Sequence, residues 1–236
     1  MAPGEKVAVE LNQELGKELI RGTDNASAAA AELIVLTVPY SAHVSTLESV
    51  KEQCKGKIFI DVSVPLDPDN ARRVIMPAAD SASEEAQQVL GPDVSVGCAL
   101  QNISAHLLRD VNAEIACDVL VCGDKDARPT VMQLINKIGG GIQAISAGPL
   151  EAARQIEPIT ALLIRLNILN KVHSAGIRYY WAAIGRATEL GFGTTSSQPT
   201  VLHPGYAATL LCCVCLDGAF CYDQNSQTYI SRRECS

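Results

Sequence analysis

Short apolar runs alternate with helix-patterned segments along most of this chain, at a spacing of roughly 20–30 residues. That alternation restricts the fold more than any other feature. A strand followed by a helix before the next strand pairs in parallel with its predecessor, through a right-handed crossover. Segments 33–38, 55–65, 93–100 and 117–123 read as strands, and a glycine turn at 139–141 leads into a fifth that ends at Gly148. Between and around them, helices are expected over 5–20, 42–53, 81–90, 126–138 and, longest of all, 150–172. Val7, Leu11, Leu15 and Leu19 recur every four residues in the first helix. Asp24 or Asn25 caps a short alanine-rich helix, and Ser81 with Glu84 forms a capping box. Pro65 and Pro68 mark a loop. The expected class is α/β, with a mostly parallel, doubly wound (Rossmann-type) sheet and a long C-terminal helix.

Composition agrees with this architecture and narrows the function. Apolar residues make up 47% of the chain and aromatic ones only 4%, so Ala, Val, Ile and Leu fill the core of a sheet covered on both faces. The net charge of −7 leaves no basic stripe to neutralise phosphates, which excludes a nucleic-acid binder. Arg72-Arg73 and Arg232-Arg233 read as solvated surface. No uninterrupted run of 18 apolar residues is present, and the first residues carry Glu5 and Glu10 instead of a signal-peptide core. No membrane partner is expected, and the expected location is cytoplasmic. Cys54, Cys98, Cys117 and Cys122 sit in or beside apolar segments as small core residues. Cys212, Cys213, Cys215, Cys221 and Cys235 crowd the end of the chain without the paired C-x-x-C and His spacing of a zinc site, so no metal is expected.

A dinucleotide site in such a fold normally places G-x-G-x-x-G between its first strand and helix, where backbone N–H groups approach the pyrophosphate. The chain has no such loop. Gly139–Gly141 follows a helix and precedes a strand, Gly191–Gly193 follows no strand, and "AGPL" at 147–150 is a single-glycine turn.

Four segments nevertheless form a recognisable series: "LIVLTVPYSAHVSTLESVKEQCKGKIFIDVSVPLDP", "CALQNISAHLL", "CDVLVCGDKDA" and "ISAGPLEAARQIEPITALLIRLN". In that order and spacing they resemble the NADPH-dependent coenzyme F420 reductases, also called F420-dependent NADP oxidoreductases. The likeness covers roughly residues 5 to 178, closing on "KVHSAGIR", and the remainder from 179 to 236 stands apart as a Cys-rich tail expected to be irregular. The resemblance implies a hydride transfer between NADP(H) and coenzyme F420, or a related deazaflavin or flavin acceptor. It also implies a glycine-rich β-α-β unit ahead of the first strand read here. The sheet is therefore expected to be incomplete, with strand 33–38 as an exposed apolar edge. As written, the chain is expected to bind NADPH at least ~10²-fold more weakly than a relative with the loop.

By the same resemblance, Thr37, Val38, Pro39, Tyr40 and Val44 lie at the nicotinamide half of NADP, Leu66 joins them, and Asn102 and Ala105 lie near the nicotinamide and the adjoining deazaflavin pocket. Thr37 and Val38 also read as plain strand core, Pro39 as a strand terminator, and Leu66 and Ala105 as packing residues. No catalytic residue is assigned, because hydride passes directly between the two rings while the protein orients them and excludes water. His43 and His106 read as helix-start residues packing a ring edge. Asp61 lies inside a strand with no partner carboxylate nearby in sequence. Two other readings stand beside the oxidoreductase. One is an inactive fragment or pseudoenzyme that forms a homodimer through the 150–172 helix. The other is a pyrroline-5-carboxylate reductase, which the "AGPL" turn and the short remainder after it disfavour.

Overall fold

The computed structural model describes residues 3–105, 107–109 and 114–180, together with the backbone of three short segments at 210–212, 220–222 and 229–231. Helix α1 (Pro3–Leu15) buries Val7, Ala8 and Leu11. It stops earlier than the leucine spacing predicts, because Gly16 adopts φ +64° and the chain turns away. Asn12 then captures the departing segment: its side-chain oxygen accepts from the Leu19 and Ile20 N–H groups and its amide donates to the Ile20 carbonyl. Leu19 is therefore extended, not helical.

Asp24 caps α2 (Asn25–Ala28), accepting from Ser27 N–H at 2.9 Å. The order continues with β1 (Leu33–Leu36), α3 (His43–Cys54), β2 (Ile58–Asp61), a short hairpin of β3 (Leu66–Asp67) and β4 (Asn70–Val74), α4 (Ala82–Leu90), β5 (Ser95–Cys98), β6 (Asp118–Gly123), α5 (Ala127–Ile138), β7 (Gln143–Gly148) and α6 (Ala153–Asn170). Ser81 caps α4 as expected, its hydroxyl accepting from Glu84 N–H and donating to the Glu84 carboxylate. The hairpin corrects the loop expected after Pro65. Its second strand, Asn-Ala-Arg-Arg-Val, is largely exposed and carries no apolar alternation to announce it.

The main sheet has the order β7-β6-β5-β2-β1-β8, where β8 is Leu210–Cys212. All neighbours are parallel except β5 and β6. Alternate residues feed two cores, as a sheet covered on both faces requires. Ile34, Leu36, Phe59 and Val96 pack with Leu47, Val50 and Leu90 of α3 and α4. Leu33, Val35, Ile60, Val119 and Val121 pack with Val131, Leu134 and Ile135 of α5. The expected free edge at strand 33–38 is overturned: Leu210–Cys212 pairs in parallel with Leu33, Ile34 and Val35. The other segments described in the tail, β9 (Phe220–Tyr222) and β10 (Tyr229–Ser231), pair antiparallel.

The reversal at β6 needs close backbone approach. Gly97 and Gly123 face each other across the two strands, and a Cβ on Gly123 would meet Val96 O and Gly97 Cα at 2.8 Å. Beyond the last paired residues, Asn102 continues the ladder with its side chain. Its amide donates to Asp118 O at 2.7 Å and its oxygen accepts from Leu120 N–H at 3.1 Å. Helix α6 buries Ile156, Glu157, Ala161 and Leu163 and leaves Leu162, Leu166, Ile168 and Leu169 exposed. No described helix is long and apolar enough to cross a membrane.

Candidate functional site

The parallel register aligns Leu36, Asp61 and Cys98 across β1, β2 and β5. Just past that row, three chain segments leave the sheet side by side, at the carboxyl edge where ligands of open α/β sheets bind. Among the described residues, three buried side-chain oxygens lack a hydrogen-bond partner: Thr37 Oγ1, Ser63 Oγ and Gln101 Oε1. They follow β1, β2 and β5 respectively, so all three lie at this edge. A buried polar atom without a partner costs about 1–3 kcal/mol. Three in adjacent strand ends are a cost that a polar ligand would offset.

Gln101 is held by both neighbours. Its Nε2 donates to Asp61 O at 2.8 Å and its carbonyl accepts from Thr160 Oγ1 of α6 at 2.7 Å. The first bond fixes the amide orientation, since an oxygen could not face the Asp61 carbonyl, and it leaves Oε1 as an open acceptor. Leu100, one residue earlier, adopts φ +76°, a conformation that a bulky side chain rarely takes.

Pro39 ends the β1 segment and a single 3-10 turn, Tyr40–Ala42, leads into α3. Under this turn lies a wholly buried His43. Its Nε2 is 2.8 Å from Asp61 Oδ2, and its Nδ1 is 3.0 Å from Glu85 Oε2 of α4. Tyr40 donates its hydroxyl to the same Glu85 oxygen at 3.0 Å, with its ring centroid 5.4 Å from that of His43. Asp61, also fully buried, uses its other oxygen to accept from Ser63 N–H at 2.9 Å. Burial works against a charged His43, but bonds and charge from Asp61 and Glu85 outweigh it and raise its pKa. Burial and the Glu85 carboxylate raise the Tyr40 phenol far above its usual range. His43 opens α3 as expected, but its ring is the centre of an ion network and not an edge-packed one. The partner that Asp61 finds is this histidine, with no second carboxylate among the described residues bonded to it.

The N-terminus of α4 is tied down from the other side by Glu157 of α6. This buried carboxylate accepts from Ala82 N–H, Ser83 N–H and the Ser83 hydroxyl at 2.9–3.0 Å. Burial, with Asp61 as a weaker contributor, pushes its pKa up to about 7 despite those bonds.

Of the residues expected at a cofactor, Thr37, Pro39, Tyr40 and Val44 line the β1-to-α3 turn, with Pro39 and Val44 exposed and Thr37 and Tyr40 half-buried. Val38 is 4% exposed and packs into the core beneath them. Leu66 stands half-buried in the hairpin after β2, and Ala105 is exposed after β5. Asn102 points away, wholly buried and committed to β6. His106 lies outside the described residues, as do the side chains of the tail cysteines. Sequence reasoning missed Ser63, Gln101, Glu85 and Glu157. The described residues hold no group of three His, Cys, Asp or Glu able to bind a metal ion.

The family model "NADP oxidoreductase coenzyme F420-dependent" matches residues 1–65. The F420-dependent NADP reductase of Methanothermobacter marburgensis is 45% identical over 165 residues, covering 67% of this chain and 73% of the relative. That of Methanocaldococcus jannaschii is 40% identical over 179 residues, covering 73% and 79%. A crystal structure from Arthrobacter sp. FB24, described as an F420-dependent NADP reductase, superposes with a TM-score of 0.60 at 25% identity, covering 67% of this chain and 74% of that one.

Proposed function

The chain belongs to the F420-dependent NADP reductase family, and on that premise we propose that it transfers hydride between NADP(H) and coenzyme F420 or a related deazaflavin or flavin acceptor. The observation that carries this reading is the set of orphaned oxygens at the ends of β1, β2 and β5. Gln101 Oε1 can only accept a hydrogen bond, whereas the Thr37 and Ser63 hydroxyls can donate or accept. A nicotinamide carboxamide, with two N–H donors and one carbonyl, fits that set. NADP(H), when bound, supplies the redox chemistry. The chain's own task is orientation and exclusion of water. Thr37, Ser63 and Gln101 hold the carboxamide. Tyr40, Val44 and Leu66 wall the ring, with Pro39 setting where the wall begins and Val38 backing it from the core. Ala105 borders the acceptor, while Asn102 holds the β5–β6 connection to which Gln101 and Ala105 belong. The four described cysteines are free buried thiols, as a reducing cytoplasm keeps them.

The test is NADPH oxidation with coenzyme F420 as acceptor, followed by loss of the deazaflavin absorbance. Turnover is expected, and Gln101→Leu is expected to lower kcat/KM about 10–100-fold by removing one buried acceptor. Absence of turnover at saturating NADPH would overturn the reading.

A further inference from the structure

We propose that His43 is a positioning residue for this site: a buried imidazolium clamped between Asp61 and Glu85, which holds the wall of residues 37–40 in place and releases it as the pH rises. The inference rests on the nicotinamide reading of that wall, but it starts from geometry that does not depend on it. Both ring nitrogens of His43 face carboxylate oxygens, at 2.8 and 3.0 Å. A neutral imidazole has one N–H and one lone pair, so it can satisfy only one of these contacts. The other would set a lone pair against a carboxylate oxygen at 2.8 or 3.0 Å, too close for a water to lie between them. Two N–H donors remove the conflict.

The groups bearing on this clamp come from every element around it. Tyr40 belongs to the turn, Asp61 to β2 and Glu85 to α4. Glu157 of α6 is a further buried acid whose charge bears on Tyr40. The carboxylates outnumber the single cation, so the cluster favours the protonated ring, in agreement with the raised pKa of His43.

The clamp reaches the wall by two routes. Glu85 holds His43 and the Tyr40 hydroxyl on one oxygen, which fixes the Tyr40 turn to α4. Asp61 holds His43 and Ser63 N–H on its two oxygens, which fixes the segment carrying one of the three orphaned oxygens. Loss of the second proton from His43 breaks one of these bonds, so either the Tyr40 turn or the Ser63 segment loses an anchor. Exposed ion pairs such as Lys55–Glu52 have no such effect, because water screens them and no ligand wall depends on them.

The experiment combines ring NMR with hydrogen exchange and a pH series on the full chain. The 15N signals of His43 are expected to show both nitrogens still protonated at a pH where an ordinary histidine has lost its second proton. NADPH affinity is expected to fall about tenfold per pH unit above the His43 transition, the slope for one required proton. Glu85→Gln removes one of the two charges and is expected to move that break down by about one unit. His43→Gln is expected to speed exchange of the amides in residues 40–42 at least about tenfold. A single protonated nitrogen near neutral pH, an unmoved break in Glu85→Gln, or unchanged exchange in His43→Gln would each overturn the proposal. The NMR and exchange readings need no ligand, so they decide the clamp even if the nicotinamide reading fails.

Discussion

Replacing Asp61 with alanine is expected to destabilise the fold by about 3–5 kcal/mol, the range for leaving one member of a buried ion pair uncompensated. Asp61 and His43 side chains are both 0% exposed, so bulk solvent does not screen the charge left behind. The substitution leaves His43 Nε2 without its 2.8 Å partner and Ser63 N–H without its acceptor. It also opens a small void beside His43, on the face of the sheet covered by α3 and α4, which adds to the cost. Asp61→Asn is expected to cost less, because the amide oxygen still accepts from one of the two donors. Urea unfolding reads the difference as a lower midpoint at unchanged slope. A loss below about 1 kcal/mol in Asp61→Ala would mean that the pair is not charged in the folded chain.

Raising the pH from about 5 to about 8 is expected to lower the thermal midpoint, against the usual expectation that stability peaks broadly across this range. Glu157 ordinarily titrates near 4.5, but burial raises it to about 7 in the folded chain. Between those values the folded state binds the extra proton, so stability falls as pH rises, by on the order of 3 kcal/mol across the window. His43 adds a change of the same sign. Its folded pKa is raised above 6.5, so its contribution is complete below that value and is lost as pH climbs through the raised one. Glu84 acts in the opposite sense. Its pKa is lowered, first by the bonds from Arg154, so its contribution stands above the ordinary value of 4.5 and is lost only in acid. The optimum should therefore lie near pH 5. Glu157→Gln is expected to flatten the slope between about pH 5 and 7, and a midpoint that rises over this range in the native chain would contradict the assignment.

Much of the architecture was legible because parallel strands covered on both faces become continuous apolar runs. Leu33–Leu36 is buried at every position, and such a strand cannot hide in a sequence. The Ser81 and Asp24 caps were equally visible, since each depends on a side chain reaching only three residues along the chain. Strand direction was less accessible. The reversal at β6 depends on Gly97 meeting Gly123 and on Asn102 extending the ladder, which are contacts across sequence rather than patterns within it. Helix α1 was overextended because Leu19 keeps the spacing after Gly16 has ended the helix.

At the site, Thr37 and Tyr40 came from family likeness, whereas Ser63 and Gln101 went unnoticed as small polar residues at strand ends. Their meaning depends on being buried without partners, a property of the fold alone. The His43 cluster joins residues 18 and 42 positions apart, beyond any local pattern. One signal was present. An aspartate closing the apolar run Ile-Phe-Ile-Asp had to find a partner, because a buried carboxylate is not left alone.

The central claim is that Thr37, Ser63 and Gln101 take up the nicotinamide end of the cofactor. Titrating the 15N-labelled chain with reduced nicotinamide mononucleotide tests it most directly, because that probe carries the carboxamide and omits the rest of the dinucleotide. The account predicts that the largest shifts fall on the Gln101 side-chain amide and on the backbone amides of Thr37 and Ser63. Saturable binding whose shifts centre elsewhere, with these three residues unmoved, would contradict it.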